Sequence, residues 1–165
     1  MGTKFEEVFE RAIFKFSDFA HLSFSETLRA EILKAHLLSA IVDFKHSSRL
    51  SLAHSLIEAS VLDSGDQIGS VPILTEVFDV TLGEEEIQIL ATGIVYHWLS
   101  SQTLKSEHMR NILHNKDFKS YSPGNLLKEL RELRTAVRRE FRGLITSYSF
   151  RHSNIDLLSV TRRNV

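Results

Sequence analysis

The sequence predicts a mainly α-helical protein: a bundle of about four main helices, with a small β excursion or long loop around residues 47–80. Two observations support this fold class. Apolar residues recur every three or four positions along most of the chain, and hydroxyl residues followed three positions later by glutamate precede several of these stretches. Residues 151–165 show no periodicity. We therefore expect one helical domain at 1–150 and an extended, flexible C-terminal tail at 151–165.

The first two helices are each predicted from a start signal and an apolar face. One capping box predicts a helix over about residues 4–17, and a second predicts a helix over about residues 25–46. The boxes consist of Thr3 with Glu6 and of Ser23 with Glu26. The second helix has a wide apolar face, which indicates a position in the centre of the core. This face consists of two lines of residues. One line is Leu28, Ile32, Ala35, Ser39 and Val42, and the other is Leu33, Leu37, Ile41 and Phe44.

The stretch between this helix and the second half of the chain is ambiguous. The apolar residues from Leu50 to Leu62 fit either a short helix or a strand. Glycines and a proline predict a mobile, turn-rich loop over residues 63–72. The alternation of β-branched with other residues at 77–80 favours a short strand, which would pair with part of 49–61.

Two long helices are predicted in the second half, joined by a connection at residues 115–124. Thr81 and Glu84 form a third capping box, before a helix over about residues 82–114. The last helix is expected over about residues 123–150, since proline at a first helical position loses no hydrogen bond.

Composition limits the functions that remain. A formal net charge of -1 and a pI near 6.7 argue against a generic nucleic-acid binder, which is usually basic overall. The absence of cysteine excludes disulfides, thiolate metal sites and cysteine nucleophiles. No apolar run reaches about 18 residues, so we expect no membrane span.

A row of arginines on the last helix is the sharpest chemical signal. None of them has an acidic residue three or four positions away, so none can be neutralised within the helix. Such a row fits either a solvated face or an external anion, namely a neighbouring subunit's carboxylates or a phosphate backbone. The residues are Arg131, Arg134, Arg138 and Arg142 on one face, with Arg139 beside them.

Three consecutive carboxylates, Glu84, Glu85 and Glu86, lie in the first turn of the third predicted helix. A catalytic carboxylate needs burial to bring its pKa towards neutrality, and adjacent helix-start positions seldom provide it. We therefore interpret the three residues as partners of the helix dipole that also favour solubility.

The remaining candidates predict neither a metal site nor a cofactor. His97, His108 and His114 share one helical block, but no two of them stand four positions apart, the spacing that places two imidazoles on one helix face. In the long connection, Phe118 stands between Asp117 and Lys119, and we expect this aromatic residue to anchor the loop on the bundle or on a partner.

Four segments, taken in order, carry a resemblance to a known family. They are residues 39–45, the block of residues 81–99, residues 116–122 with 125–130, and residues 139–148. Together they are similar to the head-to-tail connector (adaptor or neck) proteins of long-tailed bacteriophages. Two features depart from the family pattern: a longer and less charged stretch at 47–75, and Pro123-Gly124 in place of Gln-Ala.

The resemblance implies a structural virion protein rather than an enzyme. Such connectors form a ring, often of twelve subunits, under the portal at the head-tail junction. They extend the DNA channel and dock the next neck or tail-completion protein. The resemblance thus implies portal-binding, non-specific contact with packaged DNA, no cofactor, no membrane partner, and synthesis in the host cytoplasm.

In a cyclic ring each subunit presents two different surfaces to its neighbours. We therefore expect the row from Arg131 to Arg142 to meet Glu84, Glu85 or Glu86 of a neighbour, or to line the channel. The alternative is a phage-encoded helical DNA-binding or regulatory protein, which the long connection and the neutral total charge disfavour.

Overall fold

The computed structural model describes residues 2–16, 26–59, 73–113 and 123–153. It confirms a mainly helical fold with a short two-stranded sheet. The elements are α1 (Phe5–Ile13), α2 (Glu26–Phe44), β1 (His54–Ala59), β2 (Ile73–Phe78), α3 (Glu84–Leu113) and α4 (Pro123–His152). Helix α1 is shorter than expected, and α4 continues two residues beyond the predicted domain end. The predicted loop at 63–72 and most of the predicted tail lie outside the described residues.

The start of α1 differs from the prediction. Lys4 is the N-cap, and its backbone N–H donates to the Glu7 carboxylate at 3.2 Å. The Thr3 hydroxyl instead accepts a hydrogen bond from the Leu82 N–H at 2.8 Å. The predicted box of Thr3 with Glu6 is therefore wrong, because Thr3 is used in a contact with a distant part of the chain.

The start of α3 is also displaced from the predicted position. The helix begins at Glu84, and the Gly83 N–H donates to Glu86 Oε2 at 3.0 Å. This is the reach-back contact of a capping box, formed two residues later than the pair of Thr81 with Glu84 predicts. The remaining predicted capping box pairs Ser23 with Glu26, and Ser23 lies outside the described residues.

The two strands form an antiparallel pair with His54 opposite Phe78. The prediction that the strand near residue 77 pairs with part of 49–61 is confirmed, although β2 begins earlier and ends at Phe78. The N-terminal segment extends this sheet, because Lys4 bridges Val77 and the Phe78 N–H donates to the Thr3 carbonyl at 2.9 Å. The sheet is thereby fastened to the start of α1.

Helix α3 is the centre of the core, and α1, α2 and α4 each pack against it. Every residue from Ile89 to Val95 is buried. A Cβ atom added to Gly93 would lie 2.6 Å from the Cβ of Ala40 and 3.0 Å from the ring of Phe141. Glycine at this position therefore allows α2 and α4 to approach α3 at the same level.

Helix α2 buries one of its two apolar lines. Leu33, Leu37, Ile41 and Phe44 are buried. In the other line, Leu28 and Val42 are exposed, so the prediction of one wide buried face is wrong for that line. Among the described helices, none is long and apolar enough to cross a membrane.

Candidate interaction surface on the last helix

Arg131, the first member of the predicted arginine row, has an ion-pair partner on another helix. Its Nε and Nη2 atoms donate to Glu107 Oε1 of α3 at 3.1 and 2.8 Å. The absence of a partner within α4 therefore does not leave Arg131 unpaired. This contact fastens the N-terminal half of α4 to the C-terminal half of α3.

The other arginines of the row make no hydrogen bond or ion pair with any residue that the structure describes. Arg138, Arg139 and Arg142 are exposed, and Arg134 is half-buried. The inward side of α4 is apolar, and its buried residues are Leu127, Phe141 and Tyr148. Because the apolar side faces the core, the arginines remain on the flank and the outer side of the helix.

Two of these arginines line a cleft of about 420 Å³ between α2, α3 and α4. We call this the α4 cleft. Its lining residues are Asp43, Tyr96, Arg138, Phe141, Arg142, Ile145 and Thr146. Within this lining Asp43 is the single acidic residue, so the cleft has two guanidinium groups and one carboxylate.

The Asp43 carboxylate contacts a histidine on α3, with His97 Nε2 at 3.1 Å from Asp43 Oδ2. Burial lowers the pKa of His97 below 6.5, and the charge and hydrogen bond of Asp43 oppose this shift without cancelling it. The lining of the α4 cleft therefore contains two guanidinium groups and one carboxylate, and that carboxylate already contacts His97.

The three glutamates at the start of α3 have partners within the same chain. Glu84 forms an ion pair with Arg11, and Glu85 lies 2.5 Å from Arg151 Nη2. Glu86 is buried and accepts a hydrogen bond from the Tyr148 hydroxyl at 2.9 Å. The expectation that all three serve solubility is therefore wrong for Glu86, which fastens α3 to α4.

Tyr148 is a structural residue whose polar role the sequence did not reveal. Its side chain is 1% exposed, and its oxygen also accepts the Arg49 N–H at 3.4 Å. Burial, followed by the hydrogen bond to Glu86, raises the pKa of Tyr148 above 10.0. Both hydrogen bonds join Tyr148 to residues far away in the sequence, so local spacing does not predict them.

Two further predictions concern sites elsewhere in the chain. Asp117, Phe118 and Lys119 lie outside the described residues. Within the described ranges, no group of three or more histidine, aspartate or glutamate residues is arranged to hold a metal ion. The predicted site residues that lie within the described ranges are the arginine row on α4 and the three glutamates at the start of α3.

Comparison of the chain with protein-family models, with curated proteins and with solved structures finds no match.

Proposed function

We propose that this protein is a structural subunit of a bacteriophage head-to-tail connector. In this role, copies of the chain form a ring beneath the portal, extend the DNA channel and dock the next neck or tail component. The observation that carries the proposal is the packing of the connector-like segments against one another around α3.

Three of those segments meet at one place in the core. A Cβ atom added to Gly93, inside the 81–99 block, would lie 2.6 Å from Ala40 of segment 39–45 and 3.0 Å from the ring of Phe141 of segment 139–148. The hydrogen bond between Glu86 and Tyr148 joins the second and last of these segments a second time. The residues that carry the resemblance thus share one packing unit, as expected if the resemblance extends to the fold.

The exposed charge of α4 also supports an assembly role. The exposed guanidinium groups of Arg138, Arg139 and Arg142 lack partners among the described residues, while the opposite side of the helix is buried. A surface of this kind provides charge-assisted contacts to a carboxylate or phosphate on another molecule. A ring subunit needs such a surface, because every copy contacts two neighbours.

The proposal is tested in the phage that encodes the chain. A stop codon early in its gene should yield DNA-filled heads without attached tails, seen by negative-stain electron microscopy. The chain should also be present in wild-type virions, at the stoichiometry of one ring per particle by quantitative mass spectrometry. Infectious tailed particles formed without the protein would contradict the proposal.

The same arginines favour one alternative, a helical DNA-binding or regulatory protein. Arginine side chains that lack a carboxylate partner fit a phosphate backbone, and such binding weakens steeply with salt. Affinity for duplex DNA should then fall by orders of magnitude between about 50 mM and about 200 mM salt. This alternative predicts such binding together with absence of the chain from virions.

A further inference from the structure

The exposed side of α1 carries a charge opposite to that of the α4 cleft. Glu6, Glu10 and Phe14 lie four positions apart and share one side of the helix. We call them the α1 stripe. Both glutamates are exposed, and the Phe14 side chain is 88% exposed. Neither carboxylate has a hydrogen bond or ion pair with a described residue, so the stripe combines two free acids with a projecting aromatic ring.

We propose that the α1 stripe of one copy docks into the α4 cleft of the next copy. This inference rests on the proposed ring function and specifies its contact surfaces. Glu6 and Glu10 supply carboxylates to Arg138 and Arg142, which have no ion-pair partner among the residues that the structure describes. Phe14 reaches the aromatic wall of the cleft, where a phenyl ring beside a guanidinium group gains a cation–π interaction.

The two surfaces are not satisfied by each other within one chain. The α4 cleft is lined by residues of α2, α3 and α4, and α1 contributes none. Each copy therefore has one stripe and one cleft to offer. Contacts between unlike surfaces of identical chains continue from copy to copy, and they form a closed ring when the rotation between neighbours closes.

This pairing revises the partner expected for the arginine row from the sequence. Glu84, Glu85 and Glu86 already contact Arg11, Arg151 and Tyr148. Recruiting them to a neighbour would break those contacts, and in the case of Glu86 would leave a buried tyrosine hydroxyl without its acceptor. The α1 carboxylates need no such exchange.

The absence of cysteine allows a direct test by disulfide trapping. The variant with Phe14→Cys and Thr146→Cys places one thiol on the stripe and one in the cleft, and it keeps all four charged residues. Oxidation of the full-length protein at high concentration should give a ladder of covalent oligomers beyond the dimer. Each single-cysteine variant is the matched control and can give dimers at most.

Charge reversal then tests whether the trapped contact is the proposed one. Adding Arg138→Glu and Arg142→Glu to the trapping variant should reduce the ladder at least about tenfold, because like charges then face each other. Adding Glu6→Arg and Glu10→Arg to that same chain should restore it. Far-UV circular dichroism checks that all variants remain folded, since every reversed side chain is exposed.

Each outcome has a separate meaning. A ladder that is lost on reversal and restored by the second reversal supports the inference. Dimers alone, or a ladder that is insensitive to reversal, would overturn it. The inference would also be overturned if reversal of Arg138 and Arg142 left the ladder unchanged but abolished binding to duplex DNA. That result would identify the α4 cleft as a nucleic-acid site. Presence of the chain in virions tests the connector function independently of the trap.

Discussion

Helices α3 and α4 have the same length, 30 residues each, but different surroundings. Helix α3 is enclosed from Ile89 to Val95, where every residue is buried. Helix α4 buries an apolar stripe and exposes a basic flank that includes Arg138 and Arg142. Helix α3 therefore contributes mainly to the core, whereas α4 contributes an apolar side to the core and leaves its arginines exposed.

The largest expected difference between the two helices comes from truncating a leucine in each. Leu90→Ala removes a side chain with 0% exposure and should lower the free energy of unfolding by about 2–5 kcal/mol. Leu133→Ala, at 45% exposure, should cost less than about 1 kcal/mol. Urea unfolding measures both. Equal losses would contradict the assignment of the core to α3.

A second pair of variants compares the glycines of the two helices. Gly93→Ala forces the new methyl against Ala40 and Phe141, and we expect a loss of about 1–3 kcal/mol from overpacking. Gly143→Ala meets nothing within 4 Å, so the higher helix propensity of alanine should stabilise the protein by about 0.5–1 kcal/mol. The opposite signs are the diagnostic result. Stabilisation by both variants would contradict the close helix crossing.

The third prediction concerns the polar contact that joins the two helices. Tyr148→Phe leaves the buried Glu86 without its hydroxyl donor, which should cost about 1–3 kcal/mol. Tyr96→Phe is the matched control, because the Tyr96 hydroxyl has no hydrogen bond to a described residue. We expect the control to stay within about 0.5 kcal/mol of the wild type in urea unfolding.

Burial, followed by the hydrogen bond to Glu86, also gives Tyr148 a pH dependence in the alkaline range. Because the pKa of Tyr148 is raised in the folded state, stability should be lost as pH rises above 10.0, where the unfolded tyrosine ionises first. The Tyr148→Phe variant should lack this component of the loss. If the stability of both proteins declined identically above pH 10.0, ionisation of Tyr148 would not contribute to the loss.

The smallest expected effect is at the edge of the α4 cleft. Since the pKa of His97 is lowered in the folded state, the stability it contributes is present above pH 6.5 and is lost as pH falls below that value. His97→Gln should reduce this acid loss. Asp43→Asn should lower the pKa of His97 further, because Asp43 raises it; NMR titration of the imidazole measures the shift. An upward shift would contradict the contact.

The parts of the fold that the sequence predicts are those set by local spacing. The helices follow from apolar residues three or four positions apart, which is why all four were expected. Periodicity does not say which side of an apolar helix is buried, and so the exposure of Leu28 and Val42 was missed. The capping role predicted for Thr3 is wrong for a related reason, because its hydroxyl accepts a hydrogen bond from the Leu82 N–H, far along the chain.

The candidate site also has a part that local spacing predicts and a part that depends on contacts between helices. Spacing along α4 predicts the arginine row and its lack of partners within the helix. It cannot show that Glu107 neutralises Arg131, or that Asp43 and Tyr96 complete a cleft with Arg138, because those contacts join separate helices. The acids at the start of α3 were recognised, but their partners at Arg11, Arg151 and Tyr148 depend on the tertiary fold.

The most direct test of the connector proposal is cryo-electron microscopy of the purified protein mixed with candidate phage portal rings. We expect a stoichiometric ring of helical density beneath the portal, with the basic flank of α4 against the neighbouring copy. Portal rings without added density at saturating protein concentration would contradict it.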